Sequence, residues 1–326
     1  MHHLKIKTDK GDIDLPYLEF KGKRKGKTCI ISGGMHGDEI NGIELVKRFL
    51  DHCMTTKIEK SLRGKLIVLP ILNQSGFERI TRTVAHDNKD LNRSFGKKEK
   101  TTTNMIANEL VKHFYSKADL GIDCHDSGKR SVLIPHARIH SHKKKLCHEC
   151  TRDMGFAFGS KIIVERPGKR GMLAVEMAKK YDLPVITVEI GGGLKIMSEL
   201  LKEGLDGIIN ILKYHQMLPG NPKKPDKQFF LKDRFGIVAP DTGIVMFNVK
   251  LGDRVHVDDK IGTLYIPRKN EEIDLIAPMC GIIFSRQYIG TAMKSKVLYS
   301  ILEDKKCHMS KRKTKGMFEE VVNISM

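Results

Sequence analysis

The sequence predicts a doubly wound α/β domain built on a mixed sheet, followed by a smaller all-β domain, and three observations carry that expectation. From about residue 28 to 215, short β-branched runs alternate with amphipathic stretches, the pattern of strands alternating with helices. The Pro-, Gly- and Lys-rich segment LPGNPKKPD (218–226) then interrupts the alternation. Beyond it, residues 230–303 hold short strand-like runs separated by Gly and Asp turns.

Taken in order, the strands of the first domain are expected at 28–34 (TCIISGG), 65–72, 118–124, 161–164 and 183–190. Most are unbroken apolar runs, as strands covered on both faces require. Helices are expected between them at 40–52, 103–116, 142–153, 171–181 and 197–215. A mainly parallel or mixed sheet with helices on both faces accommodates this order with short connections. The domains are read as 1–220 and 227–304, with a basic tail at 305–326. The second domain contains two similar halves, GIVAPDTGIVMFNVKLGDRV and DLIAPMCGIIFSRQYIGTAM, a self-similarity that suggests a small β-barrel or sandwich. It resembles the biotinyl/lipoyl-like hybrid fold. Ala292-Met293-Lys294 echoes the biotin acceptor tripeptide but follows the second AP-x-x-G turn too closely to be a modification site.

Bulk properties narrow the function. With 40% hydrophobic and 30% charged residues the chain of 326 residues has a globular composition, and no window approaches the ~20 apolar residues of a membrane span. The first residues, MHHLKIKTDKGDID, lack the apolar core of a secretory signal, so a cytoplasmic location is expected. The seven cysteines are scattered and odd in number, unlike a disulfide framework, and the single C-x-x-C at Cys147 and Cys150 lacks the second pair that a four-thiolate zinc site needs. The formal charge of +19 favours anionic ligands. No nucleic-acid module is legible, and aromatic residues do not interleave with the basic runs, which argues against nucleic acid as the partner. A homo-oligomer is left open.

The sharpest local feature is SGGMHGDEINGIEL, where His36 and Glu39 follow a strand and precede a helix. The spacing H-x-x-E lets both side chains meet one ion from a single turn, and imidazole with carboxylate suits zinc. Two further elements end strands in the same way: IDCHDSG carries His125, and TVEIGGG carries Glu189. In open α/β sheets ligands bind outside the carboxyl ends of the strands, so these residues can share one site. The polar loop RTVAHDNKDLNRSFG adds Arg82, Asn92 and Arg93, and an arginine fork can clamp a carboxylate or stabilise an oxyanion. His136, His140, His142 and His148 fall among lysines and read as a solvated face.

The motifs G-G-x-H-G-D-E, R-(x)9-N-R in a D-L-N-R-S-F context, D-x-H-x-S-G and V-E-x-G-G, in that order over most of residues 28–218, resemble the succinylglutamate desuccinylase/aspartoacylase family, relatives of the zinc carboxypeptidases. The resemblance implies a zinc carboxypeptidase-like catalytic fold followed by a β-rich domain. It implies one zinc ion held by His36, Glu39 and His125, with Glu189 as general base and acid. Arg82 would polarise the carbonyl, and Asn92 and Arg93 would hold the substrate's carboxylate. Two departures bear on specificity: Phe95 is followed by Gly96 rather than Pro-Gly, and the stretch before Glu189 lacks the family's arginine, so Arg170 just upstream is assigned to substrate binding in its place. The expected activity is hydrolysis of the amide bond of a small, anionic N-acyl amino acid. The rivals are a metallocarboxypeptidase acting on peptides or cell-wall fragments and a non-catalytic anion- or nucleic-acid-binding protein.

Overall fold

The computed structural model describes residues 1–8, 11–232 and 234–303, so the basic tail expected at 305–326 lies outside the described residues. The chain divides into two compact units, Met1–Lys129 with Pro135–Phe230, and Arg130–Ile134 with the chain from Leu231 onward.

The first unit is mixed α/β. In chain order its elements are β1 (His2–Ile6), β2 (Ile13–Lys21), β3 (Arg24–Gly33), α1 (Ile40–Thr56), β4 (Arg63–Leu69), α2 (Gln74–Glu78), α3 (Thr102–His113) and β5 (Leu120–His125). After β6 (Ser131–Leu133), which belongs to the second unit, come β7 (His136–Ser141), α4 (Lys145–Phe158), β8 (Ile162–Pro167), α5 (Leu173–Tyr181), β9 (Val185–Glu189), α6 (Ser198–Tyr214) and β10 (Phe229–Leu231). Nine strands form one sheet in the order β1-β2-β4-β3-β5-β9-β7-β8-β10. The centre, β4-β3-β5-β9, is parallel, and β7 runs antiparallel to β9. Every residue of β5 is buried, as a central strand covered on both faces should be.

Two features of this sheet place the site. The chain steps outward from β3 to β4 and then returns to put β5 on the other side of β3, a reversal of strand order that opens a crevice at the carboxyl ends of β3 and β5. Over that crevice α1 lies directly on the sheet. A Cβ at Gly42 would come within 2.5 Å of the Cys124 carbonyl oxygen, so only a hydrogen side chain allows the approach. One face of the sheet packs Ile30, Leu69 and Val185 with Ile106, Leu110, Leu173 and Met177 of α3 and α5 into a dry core.

The expected central strands and all five expected helices have counterparts here. The pattern missed β1 and β2 at the sheet edge, and it missed β7. The histidines read as a solvated face divide: His136 and His140 lie on β7 and are 0% and 5% exposed. That segment, HARIHS, alternates His and Arg with Ala and Ile, a strand alternation whose polar and apolar faces are both largely buried.

In the second unit, β11 (Arg234–Val238), β12 (Gly243–Phe247), β13 (Arg254–Val255), β14 (Lys260–Ile266), β15 (Glu271–Ile276), β16 (Gly281–Gln287), β17 (Thr291–Ala292) and β18 (Val297–Glu303) form two sheets. One runs β11-β18-β16-β13, with β6 paired to β16, and the other β15-β14-β12-β17. The pairings within both are antiparallel. Lys294 falls in the turn between β17 and β18.

Candidate active site

His36, Glu39 and His125 converge, with one potential ligand atom from each lying within 4.8 Å of the others. His36 is delivered by the turn after β3, where Gly34 adopts φ +63 and the Gly33 and Gly34 carbonyls accept from Leu72 and Asn73 N–H groups. Glu39 occupies the N-cap position of α1 but makes no capping hydrogen bond. Its carboxylate points the other way, with Oε1 2.6 Å from Nδ1 of His36 and Oε2 2.6 Å from Nδ1 of His125. All three residues are at least 97% buried.

The outer nitrogens of both imidazoles meet carboxylates. Nε2 of His36 lies 3.2 Å from Asp90 Oδ1, and Nε2 of His125 lies 2.7 Å from Asp123 Oδ2. Asp123 Oδ1 accepts from Ser32 Oγ at 2.8 Å, and Ser32 Oγ accepts from the Tyr115 hydroxyl at 3.0 Å. A carboxylate behind a histidine fixes its tautomer and leaves the inner nitrogen free to coordinate, the arrangement that surrounds histidine metal ligands. The donor set, two imidazole nitrogens and one carboxylate held in a dry pocket, fits zinc with a position left for water or substrate.

The charges reinforce one another. Burial alone would strip the proton from His125, but Asp123 and Glu39 outweigh it and raise its pKa well above the usual value. His36 is raised for the same reason, burial being overcome by Glu39 and Asp90. Burial pushes Glu39 up, and the two histidines reverse this and hold it well below the carboxylate range. Asp126, beside His125, is pushed up to about 7 by burial and by Glu39, although Asn41 and Gly128 N–H groups bond to it.

Glu189 ends β9 directly opposite His125 in the strand register. It is 4% exposed, and burial raises its pKa against the opposing pull of a guanidinium, that of Arg138, whose Nη1 sits 2.5 Å from its Oε1. A buried carboxyl with a raised pKa at a catalytic centre is suited to taking and returning a proton. Arg82 reaches the cluster from the loop, with Nη1 3.2 Å from Glu39 Oε1 and Nε 3.0 Å from Asp90 Oδ2, while about half its side chain stays exposed. Asn92 is buried, and its Oδ1 accepts from the Leu173 N–H at the start of α5. Arg93 is half-buried and donates from Nη1 to the Asn92 carbonyl at 2.5 Å. Arg170, by contrast, is exposed in the turn before α5, and no hydrogen bond or ion pair ties it to the cluster among the described residues.

Sequence reasoning passed over Arg138, Asp90, Asp123 and the Ser32–Tyr115 relay. The D-x-H spacing did contain a signal for Asp123, because residues i and i+2 of a strand share a face. Arg138 had the alternation of HARIHS as its signal, which the surrounding lysines obscured.

The family model of the succinylglutamate desuccinylase/aspartoacylase catalytic domain matches residues 25–215. A curated relative, the N-alpha-acetyl-L-2,4-diaminobutyric acid deacetylase of Halomonas elongata, is 24% identical over 307 residues, spanning 90% of this chain and 86% of that protein. Among solved structures, the product-bound ectoine utilization protein EutE from Ruegeria pomeroyi superposes with a TM-score of 0.83 at 23% identity, covering 93% of this chain and 94% of the other. A succinylglutamate desuccinylase from Silicibacter superposes at 0.82 with 22% identity, covering 92% and 93%. At such identities these two likenesses establish a common fold.

Proposed function

Because the chain belongs to the succinylglutamate desuccinylase/aspartoacylase family, we propose that it is a zinc-dependent hydrolase that cleaves the amide bond of a small N-acyl amino acid. The observation that carries this reading is the buried His36–Glu39–His125 cluster with Glu189 on the neighbouring strand end. The deacetylase activity named for the Halomonas relative supports the same class. The catalytic unit is taken to be zinc carboxypeptidase-like, with the β-rich unit as its companion.

Zinc held by His36, Glu39 and His125 would supply Lewis acidity and a water acidified toward a pKa of ~7. Glu189 takes the proton from the attacking water and returns it to the nitrogen of the departing amine, for which its raised pKa is suited. Arg82, with an exposed flank beside Glu39, donates to the oxygen that becomes negative as the carbonyl is attacked. Asn92 and Arg93 take the substrate's carboxylate, and the +19 formal charge draws anions toward the site. The products are a carboxylic acid and a free amine.

The test is a panel of N-acetyl, N-succinyl and N-formyl derivatives of acidic, basic and diamino acids, assayed for released amine before and after chelation, beside peptides of several residues. Chelator-sensitive release from N-acyl amino acids is the expected result. Turnover confined to the peptides would move the assignment to a carboxypeptidase, and chelator-resistant release would remove the metal from it.

A further inference from the structure

Away from the crevice the sheet carries a second concentration of charge. The turn between β2 and β3 reads KGKRKGK (21–27), and every Lys and Arg in it is exposed, as are Lys57, Lys60 and Arg63 on the path from α1 into β4. The two segments adjoin. The Gly22 N–H donates to the Gly64 carbonyl at 2.9 Å, and a Cβ at Gly64, whose φ is +92, would collide with the Lys27 carbonyl oxygen. At ~3.3 Å per residue the start of β3 lies about 25–30 Å along the strand from Gly33, where the turn to His36 begins.

The fold gathers these cations without neutralising them. In the register of β4 with its two neighbours, Lys21 faces Lys65 and Arg24 faces Arg63, and like charges directly opposite one another on a sheet are destabilising. Glu19 relieves Lys65, with Oε1 2.7 Å from its Nζ. The exposed cations have no such relief, since none of them forms an ion pair with an acidic side chain among the described residues. Glu59, the acidic residue of the two segments, accepts from the Lys21 backbone N–H at 3.3 Å. Lys27 meets Nδ1 of His215 at 3.1 Å, an imidazole that burial and the charge of Lys27 hold neutral, with a pKa lowered to about 4.

The composition of this surface decides what it fits. Lysine outnumbers arginine, and neither 21–27 nor 57–63 contains an aromatic residue. Protein interfaces deplete lysine and enrich arginine and aromatics, and single-stranded nucleic acid is held by stacking on aromatic side chains. A layer of anionic phospholipid headgroups requires neither, because a polybasic cluster binds it through the summed field, each cation strengthening partitioning by about fivefold.

We propose that the β2–β3 turn, together with Lys57, Lys60 and Arg63, is a docking surface for an anionic phospholipid membrane. No helix among the described residues is long and apolar enough to cross a bilayer, so the association is peripheral, electrostatic and reversible. The crevice at the carboxyl ends of β3 and β5 lies at the far end of the strands from this surface, which leaves the proposed hydrolase chemistry open to solvent while the protein is docked.

The experiment is flotation of the full chain with phosphatidylcholine vesicles, with and without phosphatidylglycerol, in ~0.1 M and ~1 M salt, where the screening length falls from about 10 to about 3 Å. Wild type is expected to float with the phosphatidylglycerol vesicles at the lower salt and to be released at the higher. The triple variant Lys23→Gln/Arg24→Gln/Lys25→Gln should lose about 100-fold in partitioning, and Lys57→Gln/Lys60→Gln on the adjoining segment about 25-fold, with melting temperatures near wild type. Lys97→Gln/Lys98→Gln/Lys100→Gln removes the same charge elsewhere and should leave partitioning within a few-fold. Equal loss in that control would assign binding to net charge and overturn the surface, as would no flotation at the lower salt or flotation unchanged in both patch variants. An RNA oligonucleotide that strips the protein from vesicles at matched phosphate concentration, and whose own binding the same variants abolish, would overturn the membrane in favour of nucleic acid.

Discussion

Replacing Asp123 isolates what the outer carboxylates contribute to the His36–Glu39–His125 cluster and to the metal binding proposed for it. Asp123 is 1% exposed, and its two oxygens are both engaged, one with His125 Nε2 at 2.7 Å and one with Ser32 Oγ at 2.8 Å. This holds one imidazole proton on Nε2, while Nδ1 faces Glu39, to which it donates at 2.6 Å; loss of that second proton would turn the Nδ1 lone pair toward a bound ion. Asp123→Asn preserves the shape and one acceptor for His125 but removes the charge, and its amide now faces a serine hydroxyl that donates in the wild type. Asp123→Ala removes the acceptor as well, leaving a buried N–H unpaired. Losing such a partner costs 10- to 100-fold in metal affinity, so the asparagine variant should bind zinc about 10-fold and the alanine variant about 100-fold more weakly, or about 1.4 and 2.7 kcal/mol. Competition with a chromophoric chelator at fixed pH measures both, and melting of the metal-free proteins separates misfolding from lost coordination. Affinities within twofold of wild type in both variants would refute the idea that Asp123 orients a ligand.

Glu189→Gln should retain zinc while kcat falls by about 10²- to 10⁴-fold, the usual size of a proton-transfer contribution; activity within a few-fold of wild type would take the proton-transfer role away from it. His140 is held neutral in the fold by its burial and then by the charge of Arg138, with a pKa of about 3 against 6.5 for the free imidazole. The unfolded chain therefore binds the extra proton, and this residue's share of the stability, present above pH 6.5, is lost at up to ~1.4 kcal/mol per pH unit as pH falls toward 3. Urea melts from pH 7 to 4 should show a shallower acid decline for His140→Gln, and parallel declines would contradict the assignment. Gly42→Ala, which in an unencumbered helix would stabilise by ~0.5–1 kcal/mol, should here destabilise by about 1–3 kcal/mol, because the new methyl meets the Cys124 carbonyl; a raised melting temperature would show that α1 can lift off β5.

Legibility in the sequence followed the physics of periodicity. The strands β3, β4, β5 and β9 announce themselves because both of their faces are apolar, and α1 and α6 because their buried residues recur at helical spacing. The β1–β2 hairpin was invisible because its burial alternates irregularly and its outer positions are Lys, His and Asp. His36, Glu39, His125 and Glu189 could be singled out because glycine-flanked polar residues at strand ends have few other reasons to be there. Arg138 and His140 could not. They lie inside strands, at positions where sequence reasoning expects hydrophobic residues, and their lysine-rich surroundings make them look like surface. Arg170 lies exposed in the turn before α5, apart from the hydrogen bonds and ion pairs of the cluster among the described residues.

The centre of the molecule is where local preferences are overridden together, and the overrides share a cause. The first turn of α1 leaves N–H groups that a carboxylate could meet, yet Glu39 turns its own to two imidazoles instead. Asp123, His125, His36 and Glu39 are buried together although each would be better hydrated outside. Folding alone gives no reason to gather these groups in a dry crevice, since an apolar set of similar volume would be at least as stable. A ligand that binds the folded chain and not the unfolded one supplies the missing free energy by mass action. On that argument the metal-free protein should be measurably less stable than the zinc-loaded one, and the gap should shrink in Asp123→Ala by the amount of binding energy that the variant loses.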